Sequence, residues 1–362
     1  MSPSPADRRD LILGIETSCD ETAAAVVRRG RPGHGATVLS NIIASQNELH
    51  AEYKGVVPEI ASRAHAERIL PIVREALSQA GVSLRDIDAI AVGNKPGLIG
   101  SLLVGVAAAK ALAWSLRIPI IGVDHVRAHL YAGCLDAPLP DFPALGLVVS
   151  GGHTSLYHCP SITQATRLGS TIDDAVGEAY DKAATILGLP FPGGPNLDRL
   201  AQRGDASRSP TRFPISRLGR DSLDFSFSGL KTALLYAVRG VPARPGEPQP
   251  PPPDLDDQAR ADLAAAFQRA AVGAVTLKLE RALDRHPDCR TLLVGGGVSA
   301  NSLLRTELTR LGQERGLDVR LPKMAYCLDN AAMIAGLAHH LLDERDWTTD
   351  PLTMTAEPTT AF

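Results

Sequence analysis

His125 and His129 stand four residues apart in "GVDHVRAHLYAG", residues 122–133. On a helix, that spacing puts both imidazoles on one face, a turn apart, where they can grip a divalent cation. Val126, Arg127 and Ala128 fill the interval. The glutamate that serves as base in the hydrolytic H-E-x-x-H zinc helices therefore has no counterpart between them. A third ligand must come from elsewhere, and the candidate is Asp329 in "AYCLDNAAMIAGLAHHLL". Asp329 or Asn330 also suits the N-cap of the last long helix. From the residues alone, ligand and cap are both open for the aspartate, as are metal binding and ordinary packing for the histidine pair. His339 and His340 are adjacent, face different sides of a helix, and are not read as ligands.

Two further clusters carry charge. "STIDDAVGEAYDKAATILGLPFPGGPNLDRLA" holds Asp173, Asp174, Glu178, Asp181 and Asp198 around a Pro-Gly-Gly-Pro turn. Carboxylates there can accept hydrogen bonds from the hydroxyls of a ribose or an amino acid, or can be helix-terminal charges beside a turn. Residues 199–220 hold six arginines (199, 203, 208, 212, 217 and 220) against one acid, Asp205. Such a cluster can neutralise several phosphates, or be a solvated loop.

The elements that must position these residues follow from the hydrophobic pattern. "LILGIETSCDETAAAVV" is an apolar run, a small polar turn and a second apolar run, and "ALGLVVSGGHTSLYHC" repeats the plan about 130 residues later. Each reads as a hairpin whose Ser/Thr/Gly turn suits a backbone wrapped around a phosphate. Two such hairpins, each opening a domain-sized half, predict a duplicated fold. "PEIASRAHAERILPIVREALSQAG" is an amphipathic helix, while "IDAIAVG" and "IPIIGV" are short buried strands, an α/β alternation. In "CRTLLVGGGVSANSLLRTELTRL", a strand over Leu292–Val294 runs into Gly295, Gly296 and Gly297, with a helix expected near Ser299. Amides at such a helix start can hold an anion. Seven prolines in residues 241–257 predict an exposed, semi-rigid loop.

Composition sets bounds. The 362 residues favour two domains; 44% are hydrophobic and 21% charged, as in globular proteins. A net charge of −3 means that any hold on nucleic acid must be local. Five scattered cysteines without a C-x-x-C pair fit a reducing compartment. "MSPSPADRRD" is polar, and the "LILGI" that follows is too short for a signal core. "LIGSLLVGVAAAKALAWSL" is broken by Lys110 and reads as a packed helix, not a membrane span. The expectation is a cytoplasmic protein with no membrane partner.

Taken together, "GIETSCDET", "VVSGGHT", "IDDAVGEAYDKAATILGLPFPGGP", "LDFSFSGLKT", "GGGVSAN" and "DNAAMIA" resemble the tRNA adenosine threonylcarbamoyltransferases of the TsaD type. These belong to the actin, Hsp70 and sugar-kinase superfamily. The six motifs occur in order from about Leu11 to residue 343. The resemblance implies an α/β, two-domain actin-like ATPase fold, with duplicated ribonuclease-H-like domains around a nucleotide cleft. It divides the chain into an N-terminal domain, 1–133 plus a returning helix in 330–362, and a C-terminal domain, 134–329, carrying the Pro-rich loop. It implies transfer of the threonylcarbamoyl group of threonylcarbamoyl-AMP to N6 of the adenosine 3′ of the tRNA anticodon, releasing AMP. One divalent metal, iron(II) or zinc, would be held by His125, His129 and Asp329. The acyl-adenylate would lie along Val148, Val149, Ser150, Gly151 and Gly152, with Asp181, Gly194, Asp198 and Asn301 around its nucleoside. Asp20 and Glu21 match acidic positions linked to activity. Besides tRNA, the implied partners are a shorter TsaB-type paralogue and a P-loop ATPase of the TsaE type.

The chain departs from the family pattern at Arg127-Ala128, where Glu-Gly is usual, at Asn94-Lys95, where a small residue is typical, and at Leu328, where threonine is usual. Val148 stands where archaeal and eukaryotic relatives carry a tyrosine ligand. Two other readings compete: an actin-like small-molecule kinase or ATPase, which has no need of the histidine pair, and a non-catalytic nucleotide-gated scaffold, which has no need of Asp20, Glu21 or the ligands. If the arginines of 199–220 hold a tRNA backbone, changing three of them to glutamate lowers tRNA affinity by roughly tenfold or more and flattens its dependence on log salt. Binding of the acyl-adenylate stays unchanged. Titrations across a salt series check this, and an unaltered slope would mark the segment as a solvated loop.

Overall fold

The first hairpin forms as the pattern predicts. LILGIE is strand β1 (Leu11–Glu16) and ETAAAVVR is β2 (Glu21–Arg28), antiparallel with Leu11 opposite Arg28. The computed structural model describes residues 10–53, 55–242, 253–348 and 350–360. Strand β3 (Thr37–Ser45) pairs on the far side of β2. A short helix α1 (Asn47–His50) and the long α2 (Pro58–Ala80) lead to β4 (Ala89–Lys95), which lies parallel to β1. Helix α3 (Ile99–Leu116) returns the chain to β5 (Ile120–Asp124), parallel to β4, and α4 (His125–Tyr131) follows directly. The sheet order is β3-β2-β1-β4-β5.

The second half repeats this plan. Strands β6 (Ala144–Val149), β7 (Thr154–Cys159) and β8 (Thr166–Ser170) form an antiparallel meander. Helices α5 (Val176–Ile186), α6 (Gly193–Ala201), α7 (Ser228–Arg239) and α8 (Asp257–Arg285) precede β9 (Thr291–Gly295), parallel to β6. Helix α9 (Ser302–Arg315) and β10 (Asp318–Arg320) complete the sheet, and α10 (Ala331–Asp343) is the last long helix. The order β10-β9-β6-β7-β8 matches the first sheet strand for strand, so the duplication is real.

Three apolar clusters hold these layers. Helices α2 and α3 cover one face of the first sheet through Ile69, Val73, Val106 and Ala109. On the second sheet, α5–α9 pack around Tyr180, Phe227 and Phe267. Between the sheets, α4 and α10 share one cluster with Ile12 and Val123 of the first sheet and Val148 and Tyr157 of the second. Strands β1, β4 and β6 are therefore buried along nearly their whole length, which explains why they read as continuous apolar runs.

The glycine turn leads into helix near Ser299, as expected: Gly296 has φ +93°, residues 297–300 form one 3₁₀ turn, and α9 begins at Ser302 once Asn301 caps it. The left-handed backbone at Gly296 delays the helix. Of the Pro-rich segment 241–257, residues 243–252 lie outside the described residues, and its end is helical, with Asp256 capping α8 at Ala259 N–H. Helix α3 is long and apolar enough to span a membrane by length and composition, but it turns Leu102, Gly105, Val106, Ala109 and Ala113 inward.

His339 on α10 is only 3% exposed, and burial, then Arg29, lower its pKa to about 3 from 6.5. The unfolded chain takes up this proton below pH 6.5, while the fold refuses it down to about pH 3. Protonation pressure therefore erodes stability as pH falls through that window. Replacing His339 by leucine is expected to cut the loss of stability between pH 7 and pH 5 by about 2 kcal/mol. Denaturant melts of both proteins at the two pH values measure it.

Candidate functional site

The histidine helix starts where β5 ends. Asp124 caps it, its Oδ1 accepting the Arg127 N–H at 3.0 Å, which points the first turn of α4 between the two sheets. His125 and His129 are both buried, with ring centroids 4.5 Å apart. Their Nε2 atoms converge on one carboxylate oxygen: Asp329 Oδ1 lies 3.0 Å from His129 and 3.5 Å from His125. One ligand atom from each residue falls within 4.8 Å of the others. Asn330 caps α10, accepting the Met333 N–H at 3.0 Å, so Asp329 is free of that duty. The N-cap of α10 is thus Asn330 and not Asp329.

Behind His125, Glu16 Oε2 stands 3.1 Å from Nδ1, with Ser18 Oγ also at 3.1 Å. Glu16 is fully buried at the end of β1 and accepts the Ser18 N–H. A carboxylate behind a metal-ligating imidazole fixes its tautomer and keeps the far nitrogen free to ligate. A Cβ on Gly93 would lie 2.5 Å from Glu16 Oε2, so only glycine at that point of β4 leaves room for this carboxylate. Two nitrogens and a carboxylate oxygen converging from a buried wall fit a zinc- or iron-type divalent ion with positions left open.

The buried charges of this group shift one another strongly. Burial opposes charge on His125, yet Asp329 and then Glu16 outweigh it and raise its pKa to about 9. His129 is held below its ordinary value by burial and by His125. Burial would raise Asp329, but His125 and His129 keep it well below the usual carboxylate range. Glu21, in the first hairpin turn with Asp20, is pushed well above that range by burial, then by Asp329 and Asp20. His153, from the second hairpin turn, falls to about 4 through burial and the charges of His125 and His129. Both hairpin turns therefore face the same triad.

The second turn is open on its outer side. A Cβ at Gly151 or Gly152 would meet nothing within 4 Å, and the Ser150 hydroxyl accepts the His153 N–H at 3.0 Å. Val148 and Val149 are buried strand residues leading into this turn. Gly194 also faces open space, and its N–H donates to Asp181 Oδ1 at 3.0 Å. Asp198 and Asn301 come together: Asn301 Nδ2 donates to Asp198 Oδ1 at 3.2 Å, and Asp198 also accepts the Ser302 hydroxyl at 2.7 Å. Asp173 and Asp174 stand apart from this group. Asp173 accepts Ser226 and Phe227, and Asp174 is bound by Lys182 and Lys231.

The comparisons follow this geometry. A family model described as TsaD, tRNA N6-adenosine threonylcarbamoyltransferase, matches residues 37–336. The chain belongs to that family. Curated relatives of that name include one from Symbiobacterium thermophilum, 50% identical over 332 residues, with 91% of each chain covered. Another, from Trichlorobacter lovleyi, is 51% identical over 325 residues and 90% of each. Among solved structures, HypF of T. kodakarensis (TM-score 0.57, 14% identity, 95% of this chain and 49% of that one) shares the fold. So does component A of the (R)-2-hydroxyglutaryl-CoA dehydratase of Acidaminococcus fermentans, with TM-score 0.52, 14% identity, and coverage of 91% and 97%. The architecture is that of the actin-like ATPases, and the activity is acyl transfer to N6 of a tRNA adenosine.

In this family member the unusual residues turn away from the triad. The Arg127 guanidinium reaches the Thr163 carbonyl, Lys95 pairs with Glu357 at 3.6 Å, and Leu328 is half exposed. The six arginines of 199–220 are all exposed, and Arg208 makes a long 3.9 Å pair with Asp262. Sequence reasoning missed Glu16 and His153. A glutamate closing an otherwise apolar strand, four residues before the acidic pair, was the signal for the first. Replacing Glu16 by glutamine is expected to weaken metal binding by about 10- to 100-fold while the fold is kept. Chelator-competition titrations beside far-ultraviolet circular dichroism check it.

Proposed function

We propose that this chain takes the threonylcarbamoyl group from threonylcarbamoyl-AMP and delivers it to N6 of the adenosine 3′ of the anticodon. The observation that carries the reading is the meeting of both hairpin turns at one triad, with Asp20 and Glu21 on one side and Ser150–His153 on the other. In this reading the acyl-adenylate lies along Val148–Gly152, with its phosphate over the open glycines of the second turn. Asp181 with Gly194, and Asp198 with Asn301, border the nucleoside. His125, His129 and Asp329 would hold the metal, zinc or iron(II), whose bound form supplies a Lewis acid for charge growing on the carbonyl and phosphate oxygens.

The chemistry asks little more of the protein than orientation. N6 attacks the carbamoyl carbon, the bond from that carbon to the phosphate oxygen breaks, and AMP departs with the electron pair. The N6 proton goes to the acidic pair Asp20–Glu21. Burial and the charge of Asp329 raise the proton affinity of Glu21, which suits a group that takes up a proton as AMP leaves. The exposed arginines of 199–220 supply a phosphate-binding surface for the tRNA. The shorter paralogue, the P-loop ATPase, a cytoplasmic location and a division of the chain at 133/134 and 329/330 complete the proposal.

Reconstitution with threonylcarbamoyl-AMP and unmodified tRNA, followed by nucleoside analysis, tests the activity. ATP turnover without tRNA, and no modified adenosine, would instead favour a kinase. Asp329→Asn separates ligand from scaffold. Because Asn330 already caps α10, the variant should lose under about 1 kcal/mol of stability. It should nonetheless bind metal poorly and transfer slowly, read by metal analysis and single-turnover kinetics.

A further inference from the structure

A second set of metal-type donors lies at the opposite end of the second sheet. His158 on β7, with Asp288 and Cys289 in the turn before β9, brings one ligand atom each to within 4.8 Å of the others. His286, the C-cap of α8, stacks on His158 with ring centroids 4.9 Å apart and planes 23° from parallel. Its backbone carbonyl accepts the Cys289 N–H at 3.1 Å, which folds the segment His286–Cys289 into a tight turn. Cys289 is 2% exposed and carries a free thiol.

Two independent observations point to an occupant. The Nε2 of His158 is shut off from solvent and has no hydrogen-bond partner among the described residues, an arrangement that costs about 1–3 kcal/mol unless something pairs with it. The donors also gather at the C-terminal end of the 29-residue helix α8, where the helix dipole favours a cation. A thiolate with imidazole and carboxylate donors is a borderline-soft set that suits zinc over magnesium or calcium. Bonds of about 2.0–2.3 Å to a tetrahedral ion set ligand atoms roughly 3.3–3.7 Å apart. Side-chain shifts of about 1 Å close the present spacing to that value.

The place is separate from the catalytic triad. His158 pairs with Leu145 in the sheet, whereas the turn that faces the triad begins after the pair Val149–Thr154. At about 3.3 Å per residue, the two ends are some 13 Å apart along the strands. We propose that His158, Asp288 and Cys289 form a second, structural zinc site, with His286 stacked on His158 to hold its ring in place. It pins the end of α8 and the turn into β9 against β7, on the side of the sheet away from the reaction.

The test uses the metal-free full chain titrated with Zn²⁺ alone against a chromogenic chelator, and with Co²⁺ as a spectroscopic stand-in. The wild type should take up two equivalents and His125→Ala/His129→Ala one. Cys289→Ser should take up one alone and none in the double-alanine background. The thiolate-to-cobalt band in the near ultraviolet should survive in His125→Ala/His129→Ala and in Cys19→Ser, and vanish in Cys289→Ser. Asp288→Asn, a change at an exposed residue, covers the case in which the buried cysteine variant misfolds. It should weaken the second equivalent by about tenfold or more with transfer activity unchanged. A single equivalent in the wild type, or a thiolate band that persists in Cys289→Ser, would overturn the proposal.

Discussion

Two imidazole nitrogens aimed at one carboxylate oxygen set the terms for the rest of this molecule. His125 and His129 come from a two-turn helix, and Asp329 from a loop 200 residues after His129. Holding all three within 4.8 Å requires α4 and the start of α10 to occupy the same narrow layer between two sheets. Polar groups buried so deeply are tolerable only when each has a partner or a bound ion. Glu16 is one such partner, and it exists only because Gly93 leaves space on the neighbouring strand. The catalytic chemistry and the packing of the interior are in this sense one problem.

The duplicated topology explains how the two substrates can be brought to one point. Each half contributes the hairpin turn between its first two strands, and Glu21 of one turn and His153 of the other both feel the charges of the triad. The first turn is acidic, through Asp20 and Glu21; the second is neutral and glycine-rich, through Gly151 and Gly152. The second turn is therefore the better suited of the two to an anionic group.

Much of this was legible in the residues. Both hairpins, α2, and strands β4 and β5 follow from uninterrupted apolar runs and helical spacing, because their packing partners are sheets and helices on both faces. The histidine pair was visible from its spacing, and Asp329 from a motif. What escaped notice depended on distant contacts. Glu16 is marked in the sequence only as an acid closing an apolar strand, and the partner that gives it a role, His125, lies 109 residues away. The helix start near Ser299 was legible, but not the single 3₁₀ turn over residues 297–300 that precedes α9, because it depends on the positive φ at Gly296. The cap role at Asp329 could be excluded only once Asn330 was seen to hold the Met333 amide.

The position of α10 has a consequence for biosynthesis. Its residues Ala331, Met333, Ile334 and Leu337 cover an apolar face that β1, β2 and β5 expose from the moment they are made. At about 5–20 residues per second, a ribosome needs roughly 10–40 s to travel the 200 residues from His129 to Asp329. Throughout that interval the nascent first sheet has one face without its cover, and the histidine pair lacks its carboxylate. Neither the lobe nor its metal site can mature before the chain is nearly complete.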